Sequence, residues 1–317
     1  MGYDYIEQEI VLQTNSTYGR DVPLNLSSGL FRHLEATTKP CVRMAFEGTS
    51  SSVGATPAWL ERAVDVRTLG FSERDGRTIF HLKAPMLGEA APKLFEQDSL
   101  FPGVASATDT ALDVVGKIVR EVRREDLASD LYDSSLLKKF SQWKSLLGGD
   151  LKAIEFVGSR EDLGPAIAID AAVAASAQRL SDQTPAPRQI RIVGKLDMVR
   201  HSTRSFELLL ENGDAVRGVL VDGTPESLQR HFGEEITILG KAIYRPSGSL
   251  LRLDASEILA STEGRGAFST VPLPFTAALR VERKLQTPRS GVSAFFGIWP
   301  GEETDDELLA ALAEIRN

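Results

Sequence analysis

The sequence predicts an α+β amino-terminal domain, then a five-stranded β-barrel, then a carboxy-terminal tail carrying a short helix. Three observations predict this order. Up to residue 182, helical stripes and strand-like runs are mixed; from Arg188 the apolar residues fall at period two between turn residues. From residue 261, Gly, Pro, Ser and Thr dominate until an acidic amphipathic run begins at Thr304. At 317 residues the chain has room for about two domains, and 42% hydrophobic with 25% charged residues is a globular composition. The expected divisions are 1–182, 188–260, 261–292 and 293–317.

In the first domain, Ile6, Ile10 and Leu12 suggest an opening strand. A Ser-capped stretch with Leu30, Phe31 and Leu34 reads as a helix that stops before Pro40. The alternation of Val42, Met44 and Phe46 against Cys41, Arg43 and Ala45 then reads as a half-buried strand. The Ser-rich residues 48–54 would join that strand to a short helix opening at Thr56-Pro57, with Trp59 and Leu60 on its apolar side. Strands over 64–71 and 77–82 flank Asp75-Gly76, which predicts a hairpin.

Ala111, Leu112, Val115, Ile118, Val119 and Val122 form a helical stripe expected to be capped by Thr108. A second stripe, Leu136, Leu137, Phe140, Trp143, Leu146 and Leu147, is ended by Gly148; the two are expected to pair antiparallel. Residues 151–157 read as a strand, 170–180 as an Ala-rich helix and 181–187 as a Pro-bearing linker.

In the barrel, Ile190, Ile192, Leu196 and Met198 should point inward, followed by Phe206, Leu208 and Leu210 on a second strand. Asn212-Gly213 turns into a third strand with Val216, Val219 and Leu220, both corner residues being expected at positive φ. A short helix from Thr224-Pro225 to Phe232 and Gly233 precedes a fourth strand with Ile236, Ile238, Ala242 and Tyr244. Residues 245–248 turn into a fifth. This order resembles the OB-fold, with an SH3-like barrel as the structural rival.

The resemblance implies a ligand face that includes Arg200, His201, Arg204 and Arg245, with Phe206 or Tyr244 to stack a base. Residues 188–258 hold ten Lys+Arg and ten Asp+Glu, so no local excess of positive charge supports nucleic-acid binding. It stands as the second functional reading.

The formal charge of −8 argues against a surface that attracts nucleic acid throughout. The lone Cys41 excludes an internal disulfide, and His33, His81, His201 and His231 do not pair at metal-ligand spacing. No cofactor or metal is expected. The phosphate-cradling and nucleophile-elbow spacings are missing, and no catalytic residue is nominated. The opening residues lack a basic flank followed by an apolar stretch, and no apolar run is long enough to span a bilayer, so a cytoplasmic protein is expected.

The tail has the most legible local chemistry. Thr304 and Glu307 form a capping box, Asp305 and Asp306 complement the positive helix end, and Leu308, Leu312 and Ile315 share one face. The segment resembles the carboxy-terminal tails of bacterial antitoxin-like proteins that accompany PIN-domain ribonuclease toxins. Those tails carry a Trp-Pro-Gly-Asp-Glu-Thr or -Ser run before an acidic helix. The matching residues are Gly297, Trp299, Pro300, Gly301, Glu302, Glu303, Thr304, Glu307 and Leu308, with Glu302 where Asp is usual.

The resemblance implies a non-enzymatic protein that neutralises a PIN-domain nuclease by anchoring Trp299 in a pocket and laying its helix in a groove. The implied contact residues are Phe295, Phe296, Trp299, Pro300, Gly301, Glu302, Glu303, Leu308, Leu312 and Ile315. The alternative is a tail folded back on its own chain, burying Phe295, Phe296 and Trp299.

Overall fold

The computed structural model describes residues 4–51, 55–96, 105–157, 167–260, 271, 272 and 274. The chain as far as Pro274 forms one compact unit. The expected tail helix lies outside the described residues, as does nearly all of the basic arm.

The first layer is an antiparallel sheet built from β1 (Tyr5–Thr14), β2 (Arg67–Arg74), β3 (Arg77–Pro85), β4 (Leu151–Val157) and β5 (Ile167–Asp170), in the order β2-β3-β1-β4-β5. Helices α1 (Leu24–Glu47), α2 (Ala58–Ala63), α3 (Leu87–Ala90), α4 (Ala111–Arg124), α5 (Ser134–Ser141), α6 (Lys144–Leu147) and α7 (Ala171–Gln183) complete it. Ile10, Leu12, Phe80, Leu82, Ile154, Phe156 and Ile169 share a single core with the apolar stripes of α1, α4, α5 and α7. Gln8 pins α4 to this sheet face by donating to Asp113 at 2.9 Å and accepting from Thr110 at 3.0 Å. On the other face, Ser72 meets His81 at 2.6 Å and Arg74 pairs with Glu9 at 3.0 Å, a polar ladder across three strands.

Several expectations are corrected here. Residues 41–46 are the end of α1, not a strand, because the helix runs through Pro40. Cys41 to Glu47 are all buried, so this turn has no exposed side to display a helical period. No side chain caps the start of α1, which follows Pro23. Residues 48–51 therefore leave a helix, through Gly48 at φ 69°, rather than a strand. Pro57 itself occupies the cap position of α2, while Thr56 accepts from Lys39 at 2.7 Å.

Thr110, not Thr108, caps α4 in a capping box with Asp113. The second stripe is broken into α5 and α6 around Gln142 and Trp143, and α5 packs chiefly on α7 rather than on α4. β5 was not anticipated. The linker shortens to 184–187, since α7 reaches Gln183 and the next strand starts at Arg188.

The second layer is a closed mixed barrel of β6 (Arg188–Arg200), β7 (Ser205–Leu209), β8 (Ala215–Leu220), β9 (Glu235–Tyr244) and β10 (Leu250–Ala260), with α8 (Pro225–Gln229) between β8 and β9. The cyclic order is β10-β8-β7-β6-β9, and the β10–β8 pair is parallel. β6 serves two partners, pairing first with β9 and then with β7. Its register shifts between Leu196 and Met198, which moves Met198 outward to 44% exposure against the inward expectation.

At the Asn212-Gly213 hairpin only Gly213 has positive φ, at 86°, and its N–H closes on the Leu210 carbonyl at 3.0 Å. This is a three-residue loop rather than the two-residue turn expected. Phe206, Leu208, Ile236, Ile238, Tyr244 and Leu253 are among the residues filling the barrel, and Leu228 of α8 joins the same core.

Two glycines make closure possible. A Cβ on Gly218 would fall on the Phe206 ring, and one on Gly240 would fall on the Asp254 carbonyl oxygen. Gly240→Ala should therefore cost about 1–3 kcal/mol, because backbone of the neighbouring strand has to move. Gly213→Asn, in open space and with a residue that tolerates the left-handed region, should cost under about 1 kcal/mol. Urea denaturation compares them directly, and equal losses would contradict the close strand approach.

Candidate functional site

The loops nominated on the barrel are held by the first layer. β6 ends at Arg200, which is 3% exposed and donates to the Leu94 carbonyl at 2.6 Å. His201 is exposed and sits 3.1 Å from Glu226, a contact that leads the effects holding the Glu226 carboxyl down to about 2. The β9–β10 turn carries Arg245, whose Nε donates to Asp130 at 2.9 Å; Arg217 reaches the other Asp130 oxygen at 3.4 Å. Ser247 N–H donates to the Leu127 carbonyl at 3.0 Å, fixing the same turn. Arg200, His201, Arg204 and Arg245 thus each have different hydrogen-bond partners. Phe206 and Tyr244 are both inside the barrel, where neither presents a ring to a base.

The deepest of these contacts was not anticipated from the sequence. Arg252 on β10 is buried and donates to Asp133 at 3.1 Å, to Asp254 at 2.7 Å and to the Gly48 carbonyl at 3.0 Å. Asp133 caps α5 by accepting from Leu136 N–H at 3.0 Å, and it accepts from the Ser50 hydroxyl at 2.6 Å. Burial pushes the Asp133 carboxyl up, but the Arg252 charge and these hydrogen bonds outweigh it, so the group stays below the usual carboxylate range. The capping role of an Asp before Ser-Ser-Leu-Leu is a readable signal. Its arginine partner, 119 positions away, is not.

Beside this network lies a cavity of about 310 Å³, lined by Glu47, Thr49, Ser51, Ala55 and Pro57 from the first layer and by residues 202–204, 219–221 and 254 from the barrel. Arg204 forms one wall. It holds φ at 56°, a left-handed conformation that costs on the order of 1–2 kcal/mol for a residue with a Cβ. The turn is fixed by hydrogen bonds from Arg204 Nη2 to the carbonyls of Val221, at 3.3 Å, and Gly223, at 2.8 Å. Arg204 Nε is buried without a hydrogen-bond partner among the described residues.

Glu47 closes the other wall at 8% exposure, 3.4 Å from Arg43. Burial lifts its carboxyl to about 7, against the lowering pull of Arg43 and Arg204. Because the folded value lies above the unfolded one, the native state holds the extra proton between the two, and stability falls as pH rises from about 4.5 to 7. Glu47→Gln should remove this loss and be more stable than wild type at pH 8 by on the order of 2–3 kcal/mol, with little difference at pH 4. Urea unfolding at the two pH values checks it.

Among the described residues, no group of three or more His, Cys, Asp or Glu is placed to hold a metal ion. None of the described helices is long and apolar enough to cross a membrane. Phe295, Phe296, Trp299, Pro300, Gly301, Glu302, Glu303, Leu308, Leu312 and Ile315 lie outside the described residues. Comparison of the chain with protein-family models, curated proteins and solved structures finds no match.

Proposed function

We propose that the chain is a non-enzymatic, antitoxin-like protein that restrains a PIN-domain nuclease through its tail. The observation that carries this reading is the sequence Gly297-Ile298-Trp299-Pro300-Gly301-Glu302-Glu303-Thr304, followed by a spacing that predicts a capped helix with Leu308, Leu312 and Ile315 on one apolar stripe. A helix of this length is marginal alone in water, so the stripe calls for a surface to rest on. The groove of a partner nuclease supplies one.

The body supports the reading by being engaged with itself. Arg200 and Arg245, two of the four residues of the nucleic-acid reading, serve as internal clamps, as does Arg252 elsewhere on the barrel. The barrel is OB-like: its third and fifth strands close in parallel and a short helix separates the third from the fourth. Its role in this reading is to carry the arm. Val271 packs against the barrel core, and Tyr244 donates to the Pro272 carbonyl at 3.2 Å, so the arm is tied to the barrel at these two residues.

The test is copurification. A PIN-domain nuclease encoded beside this chain, coexpressed with it, should be captured by the full-length protein and lost when residues 297–317 are deleted. Undiminished capture by the truncated protein would refute the tail reading.

A further inference from the structure

The cavity between Glu47 and Arg204 has the composition of a binding site rather than of a packing gap. It joins a guanidinium, a buried carboxyl and the hydroxyl residues Thr49, Ser51, Ser202 and Thr203 to an apolar wall of Pro57, Val219, Leu220 and Val221. Its volume of about 310 Å³ suits a small metabolite. Arg204 is held there in a strained backbone conformation, and strain of this kind gathers at ligand clamps. We propose that this cavity binds a small organic carboxylate, its anionic head between Arg204 and Glu47 and its hydrocarbon part against the apolar wall.

The charge balance favours an anion. Arg204, Glu47 and Asp254 line the cavity, and behind them Arg43 lies against Glu47 while Arg252 pairs with Asp254 and Asp133. With Glu47 protonated the cluster carries one excess positive charge, and its carboxyl donates a hydrogen bond to an incoming oxygen. With Glu47 ionised the excess disappears and a carboxylate faces the ligand head. A single guanidinium beside an apolar wall matches a carboxylate with a short carbon chain better than a phosphate, which is met by several donors at once. Binding is therefore coupled to the Glu47 proton, and affinity should fall about tenfold between pH 6 and pH 8.

Calorimetric titration of the full-length protein with butyrate tests this, with butyramide and inorganic phosphate as comparisons. The expected result is saturable butyrate binding at pH 6, at least about tenfold tighter than either comparison ligand. Arg204→Gln should weaken it by at least about tenfold. Ser51→Phe, placed at an exposed lining position and so without demand on the core, should weaken it similarly. Glu47→Gln should flatten the pH dependence. The proposal is overturned if butyrate does not bind at pH 6, if Ser51→Phe and Arg204→Gln bind it like wild type, or if phosphate binds more tightly. None of these outcomes bears on capture of the nuclease by the tail.

Discussion

Trp299→Ala should weaken the hold on the nuclease partner by about 100-fold, as expected for a central aromatic anchor removed from a desolvated pocket. The same tail supplies its own control. Glu303 precedes the expected helix in an acidic run, and a charge at the rim of the proposed interface would chiefly affect the encounter rate, so Glu303→Gln should change affinity less than about fivefold. Leu312→Asp lies on the apolar stripe and should act with Trp299→Ala. The two changes share one docked segment, so their effects should fall short of additive. Surface-immobilised nuclease gives the affinities of the three full-length single variants and of the Trp299→Ala, Leu312→Asp double variant. Equal binding by Trp299→Ala and wild type would remove the anchor from the account.

The second large effect is on stability. Arg252→Ala leaves Asp133 buried without its counter-charge, and breaking one side of a buried pair typically costs about 3–5 kcal/mol. Arg252→Met, which refills the space, should lose less than Arg252→Ala while still stranding the carboxylate. The pH dependence carries a sign that a packing defect would not produce. In the wild type the Asp133 carboxyl is held below its ordinary value, so its contribution is present above the unfolded pKa and is lost as pH falls through the lower folded one. Without Arg252, burial dominates and raises the group. The variant should then lose stability as pH rises through the ordinary carboxylate range instead of gaining it. Urea titrations from pH 3 to 7 on Arg252→Met would show the reversed slope, and an unchanged slope would place the Asp133 charge balance elsewhere.

The barrel was largely legible because period-two burial and turn residues are local signals. Ile190, Ile192, Phe206, Leu208, Ile236 and Ile238 all point inward as the alternation requires. Met198 departed because a shift in pairing reverses every side chain beyond it, and nothing in the residues marks the place. The amino-terminal layer was harder. The end of α1 is buried on all sides, so its residues alternate by accident and Pro40 gives a false stop within a helix held by tertiary packing. β5 has only four residues between undescribed chain and a helix, too short for a pattern to stand out.

The candidate site was legible in its parts and not in its assembly. Arg204 was singled out together with Arg200, His201 and Arg245; in the structure it lines a cavity with Glu47, which sits at the end of a buried helix turn read as a strand leading into a Ser-rich loop. Arg200 and Arg245 look like solvated loop residues in sequence. Leu94 and Asp130, which engage them, lie 106 and 115 positions away, and such separations leave no local trace.

The account rests most heavily on the tail as the part that acts on another molecule. Ribonuclease activity of the partner PIN-domain protein, measured on a single-stranded RNA substrate with increasing full-length protein and then with the chain lacking residues 297–317, addresses this directly. The full-length protein should suppress cleavage stoichiometrically while the shortened one leaves it unchanged. Equal suppression by both would place the inhibitory surface in the sheet and barrel and contradict the account.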